Sequence, residues 1–264
     1  MNQTTTTTVP SSQERTNSAS HSPAIGPGFP EGTRLATAHD AAQTTAILLI
    51  PHDGPHSDDL FLRARHWTEV TEGPAEIIVH TISLQHATIL WQPRRAVIIA
   101  SATQLEKLVV AVARFSIQEL ELQALECWIA TNWQQLSSDS PLAFEIDSST
   151  IARRTELSQQ FQQSINWRAR WGRLVPDAHQ PPLYPPTLAS QISERLRERT
   201  RLADRVDFVG TQLDLFDRVY DQCAQRVSEF VVAQRGHHLE WVIIILLSFQ
   251  TVLLLLEHLV LKTS

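Results

Sequence analysis

The sequence predicts an α+β fold: a small N-terminal α+β domain, a helical hairpin or coiled-coil-like stalk, and one C-terminal transmembrane helix. Three observations lead there. Short β-branched runs crowd the first half, a 3.5-residue apolar period marks the later helical part, and a charge-free apolar run stands near the end. The expected divisions are a disordered tail at 1–45, the α+β domain at 46–150, a stalk at 151–238 with a proline-rich elbow at 175–186, and the membrane helix at 239–262.

Residues 1–45 are rich in Thr, Ser and Pro and poor in large apolar side chains, so they bury too little to offset chain entropy. They carry neither the basic start nor the apolar core of an export signal. Residues 46–51 (AILLIP), 76–83 (EIIVHTIS) and 87–92 (ATILWQ) read as strands. Pro93-Arg94-Arg95 then turns into AVIIAS at 96–101, and LAFEID at 142–147 suggests a later strand. Residues 103–136 have helical periodicity, with Leu105, Leu108, Val109, Val112 and Phe115 on one face. Leu122, Leu125, Cys127, Ile129 and Trp133 continue it after a break expected near Ser116. Strands first and helices after give α+β rather than alternating β-α-β.

Composition narrows the chemistry. The 264 residues carry a net charge of −6, which excludes a globally basic nucleic-acid binder. Two cysteines with no CxxC exclude a disulfide scaffold and a thiolate zinc site. Eight glycines form no phosphate-cradling motif. The best ligand-like run is HDGPHSDD, with His52, Asp53, His56, Asp58 and Asp59; Gly54-Pro55 breaks any helix that would align the two imidazoles, so a solvated acidic loop is expected. His80 and His86 flank a strand pair without an acidic partner at a recognisable spacing, and no GxSxG elbow accompanies the serines. Cys127 is expected to pack as a small hydrophobe. No catalytic residue, cofactor site or metal site is assigned, and no small-molecule substrate is expected.

Residues 151–174 read as a helix with Leu157, Phe161, Ile165 and Trp171 inward and Arg153, Arg154, Arg168, Arg170 and Arg173 around them. Residues 187–234 read as one long helix. Its four-three series passes Leu188, Ile192, Arg195 and Arg199, then Leu202, Val206, Val209, Leu213, Phe216, Tyr220, Cys223, Val227 and Phe230. Gly210 falls within that span and suggests a bend. The seam suits a fold-back hairpin, self-association into a homo-oligomer, or docking of another protein. Arg195, Arg197, Arg199, Arg201 and Arg205 could meet phosphates, but Glu194, Glu198, Asp204 and Asp207 interleave with them, which favours an ion-paired face. From Trp241 to Leu256 no charge occurs, and extension to Leu261 reaches spanning length. The expectation is a tail-anchored protein with a single-pass C-terminal anchor in the lipid bilayer, its bulk in the cytoplasm.

RGHHLEWVIIILL at 235–247 resembles the closing signature of the domain of unknown function 155 family, which includes the "required for meiotic nuclear division" proteins. The joint motif is His238, Leu239, Glu240 and Trp241, followed by Ile243 to Ile245. Pro176-Asp177 and the heptad-like helix are similar too, although Ala178-His179-Gln180 replace the family's aromatic and acidic residues and Gln250 replaces its acid within the span. The resemblance covers about the last 90 residues. It implies a non-enzymatic, membrane-anchored protein, with a link to translation among mitochondrial relatives; the arginine-rich composition suggests a bacterial chain and its inner membrane.

The functional expectation is therefore a membrane-anchored scaffold or adaptor. The alternatives are a membrane tether for ribosomes or RNA, and a metal-dependent enzyme using His52, His56 and Asp58.

Overall fold

The computed structural model describes residues 7–8, 28–40, 43–54, 57–70, 78–144, 153–180 and 183–263, the side chains at 7, 8, 40, 43, 231, 233–239 and 253–263 excepted. The chain divides into two compact units. The first holds Met1–Trp128 with Ala169–Gly210; the second holds Ile129–Arg168 with Thr211–Ser264.

The first unit is built on a sheet of order β1-β2-β3-β6-β5-β4. The strands are β1 (Thr7–Thr8), β2 (Arg34–Asp40), β3 (Gln43–Pro51), β4 (His80–Leu84), β5 (Ala87–Gln92) and β6 (Arg95–Ala100). β2 and β3 form an antiparallel hairpin, β4-β5-β6 an antiparallel meander, and β3 joins β6 in parallel with Ile50 opposite Ile99. β2 lies inside the stretch expected to be a disordered tail. Its small Ala and Thr side chains gave no strong strand signal, yet Leu35, Ala36 and Ala38 are buried once β3 lies alongside. Of the strand expected at 76–83, β4 supplies the part from His80, and residues 71–77 lie outside those described.

The sheet is covered on both faces, which explains why β5 and β6 are near-continuous apolar runs. Helix α1 (Asp58–Glu69) puts Leu60, Ala64 and Trp67 against Leu35, Leu48, Ile50, Leu90, Val97 and Ile99. Helix α2 (Ala102–Asp139) meets the other face, where the Trp91 ring stands 4.9 Å edge-on from Phe115. The break expected at Ser116 is absent. Its hydroxyl accepts a 2.8 Å bond from Trp91 Nε1 and donates to Val112 O, so a helix-neutral residue serves as a buried polar anchor.

Helix α3 (Arg154–Ala178) runs through Pro176, so the elbow starts later than expected. Proline sits there within the last turn, where only one backbone bond is lost. A short 3-10 turn (Ser140–Ala143) occupies the start of the strand expected at 142–147, and residues 145–150 lie outside those described.

The single helix expected at 187–234 is two helices, α4 (Leu188–Thr200) and α5 (Leu202–Thr263). Arg201 separates them in the left-handed conformation, φ 52° and ψ 42°, with its N–H bonded to the carbonyls of Arg197 and Glu198. The break resets the phase. α4 buries Ile192 and Leu196, whereas Arg195 and Arg199, which an unbroken seam would turn inward, are exposed.

The transmembrane helix requires correction. Among the described residues, no helix is long and apolar enough to cross a membrane. A span needs about 20 predominantly apolar residues. The expectations of a tail-anchored protein, a C-terminal anchor in the bilayer and an inner-membrane location fall with it.

Candidate functional site

The seam expected along α5 packs inside the protein over most of its length. Leu202, Val206, Val209, Leu213, Phe216, Tyr220, Cys223 and Val227 are all buried, and Phe230 is half-buried. In the first unit Gly210 sits beside this line, and a Cβ there would stand 2.5 Å from Trp171 Cζ2. The helix runs without interruption through Gly210, where the missing side chain makes room for the ring. Trp171 Nε1 completes the contact by donating to Val206 O at 2.8 Å.

Around that contact the first unit carries an acid–arginine ladder. Arg205 forks onto Glu126, with Nε to Oε1 and Nη2 to Oε2 both at 2.8 Å, and its Nη1 reaches Glu119 Oε1 at 2.7 Å. Arg170 forks onto both oxygens of Glu121 at 2.6 and 2.7 Å. Glu119 is 2 % exposed, and its Oε2 has no hydrogen-bond partner among the described residues. Burial accordingly pushes its carboxyl above the usual range, against the pull of Arg205. Arg195 pairs with Glu198 and Arg201 with Asp204, and Arg197 donates to Asp177 O. Of the five arginines that could have met phosphates, four are thus engaged within the protein, and Arg199 is exposed.

The second unit centres on Asp139, whose side chain is wholly buried at the end of α2. Its Oδ1 accepts from Arg153 Nη2 at 2.8 Å, and its Oδ2 faces Tyr220 OH at 3.3 Å. Cys223 Sγ donates to its backbone carbonyl at 3.8 Å. Glu156 accepts from both Arg153 and Gln135, so the cluster is a shared network. Burial, then the Asp139 charge, raises the Tyr220 hydroxyl; the same causes push the Cys223 thiol up to about 11. Both are held neutral, which suits support and not nucleophilic attack. Sequence reasoning missed this centre because Asp139, Arg153 and Tyr220 come from three helical segments with no local spacing to betray them.

The other expected residues disperse. Asp58 and Asp59 open α1, where Ser57 Oγ accepts from Leu60 N at 3.3 Å and Asp59 pairs with Arg63; carboxylates there favour the helix dipole. His56 lies outside the described residues, and no group of three or more metal-ligating side chains forms among those described. His80 stacks at 5.8 Å on Trp91, and burial, then Arg199, lowers its pKa. His86 turns the β4–β5 hairpin at φ 66°. Cys127, expected to be packed, is exposed: helix α2 turns Leu122, Leu125 and Ile129 inward, and position 127 lies off that line.

Helix α5 runs continuously through His238, Leu239, Glu240 and Trp241. From Trp241 onward, Trp241, Val242, Ile243, Ile244, Ile245, Leu246, Leu247, Phe249 and Val252 are each between 52 and 63 % exposed. Within that run Thr251 hides its hydroxyl on Leu247 O at 2.7 Å.

No protein-family model and no curated protein matches this chain.

Proposed function

We propose that the protein is a non-enzymatic scaffold that assembles through the exposed apolar length of α5, with a second copy of the chain as the occupant of that surface. The observation that carries this reading is the run of nine large apolar side chains, each more than half exposed, on one helix. Each leaves roughly 100 Å² in water, about 900 Å² together, which matches the ~800 Å² per partner of a stable interface. Monomers rarely leave patches above a few hundred Å² uncovered. The side chains surround the helix instead of forming one stripe, so a flat partner face would leave half of them wet. Packed against its own copies in a bundle, the helix buries several faces at once. Gln250, within the run, offers a hydrogen bond to its counterpart.

The seam upstream supports the same reading. It is buried within the chain as far as Val227, so self-association falls to the segment beyond it. Two differently tagged full-length copies, co-expressed and purified through one tag in detergent-free buffer, should elute together. Recovery of only the captured tag would refute the proposal.

A further inference from the structure

The first unit contains a groove of about 250 Å³ between α2 and α4, and it collects cations. Lys107, Arg114 and Arg197 line it, and among the described residues no carboxylate does. This runs against a chain with a net charge of −6. A neighbouring groove of about 450 Å³ shares Gln180 and Arg197 but adds Glu194, Glu198 and Asp204 together with Arg201. The charged groups lining the first groove are thus all cationic, whereas those of the second are of both signs.

Two of the three cations are fixed in place. Arg114 pairs with Asp177, and Arg197 Nη1 donates to the same residue's carbonyl at 3.1 Å. A guanidinium has five N–H donors, so each retains several for a ligand. Lys107 is exposed and makes no ion pair or hydrogen bond among the described residues. Ser193 and Gln118 add neutral hydrogen-bonding groups to the lining. Apolar groups complete it, notably Phe115, Leu183 and Val110; Leu183 is 59 % and Val110 53 % exposed.

We propose that this groove binds a small phosphate monoester with an apolar body. A phosphate dianion suits a lining of three cations better than a single carboxylate charge does. The volume is just below the ~300 Å³ at which pockets for drug-sized ligands begin, so the ligand is small. The apolar lining gives its body a surface that inorganic phosphate cannot use.

The test is calorimetric titration of the full-length chain with phenyl phosphate, inorganic phosphate and benzoate at low salt. Phenyl phosphate should bind saturably and more tightly than either of the others, and should weaken as salt rises. Lys107→Glu, at an exposed position without a partner, should weaken it at least about tenfold, the loss expected for a charge-assisted contact. Glu194→Gln, in the neighbouring groove, should leave it unchanged. No saturable phenyl phosphate binding, equal affinity for inorganic phosphate, or an undiminished Lys107→Glu titration would each overturn the proposal.

Discussion

Gly210 shows how much one absent side chain can matter. With Trp171 at 2.5 Å from any Cβ, Gly210→Ala must displace a ring that is also bonded to Val206 O. A loss of about 1–3 kcal/mol is expected, against the gain of up to ~1 kcal/mol that alanine gives in an open helix; urea denaturation would show the sign. Arg205 is the counterpart among charges. Arg205→Ala leaves Glu119 buried and unpaired and should cost about 3–5 kcal/mol. Glu119→Gln removes a carboxylate whose Oε2 is already unsatisfied, while Glu126 keeps Arg205 paired, and should cost under ~1.5 kcal/mol. His80 supplies a pH dependence. Its folded pKa lies below 6.5, so the unfolded chain binds the proton more readily. Its contribution is complete above about pH 6.5 and is lost as pH falls through the lower folded value. Thermal unfolding from pH 7.5 down to 5.5 should show the midpoint falling, and His80→Gln should flatten that slope. The cysteines differ in the same physical sense: intact-mass analysis after maleimide treatment of the folded chain should show Cys127 modified and Cys223, buried with its thiol raised to about 11, unmodified until denaturant is added.

At the scale of elements, the sequence was readable where one period governs one surface. β5 at Ala87–Gln92 was legible because five apolar or β-branched residues, Ala87 to Trp91, ran between two turns. The α5 seam was legible because its 3.5 repeat is a property of the chain itself. Where a second surface intervened, the reading failed. The α4–α5 break rests on an arginine in a conformation that glycine usually supplies, so nothing at Arg201 announced it. Replacing Arg201 by Gly should remove strain of about 1 kcal/mol at the cost of an exposed pair to Asp204 worth a few tenths, and so should raise the unfolding midpoint slightly. β2 was illegible because alanine and threonine become core only beside Ile47 and Leu49. The Asp139 centre was illegible because burial of a carboxylate depends on partners about 14 and 81 residues away. The terminal helix was over-read: apolar composition alone does not distinguish a bilayer from another protein as the environment that removes it from water.

At the scale of the molecule, the two units use the long helices differently. The first joins them to a sheet through Trp91 and Phe115 and secures them with the Arg205 and Arg170 forks. The second gathers them around one buried carboxylate. The large apolar side chains from Trp241 to Val252 are more than half exposed, and this is the feature that makes a lone chain an improbable end state in water. The central claim is that a second copy covers them. Its most direct test is light scattering coupled to size-exclusion chromatography, in detergent-free buffer over a wide concentration range, on the full chain and on the Ile244→Asp/Leu247→Asp double variant. The account predicts a discrete oligomer for the first and a monomer with unchanged helical circular dichroism for the second. A monomeric wild-type chain, or an oligomer indifferent to the two aspartates, would contradict it.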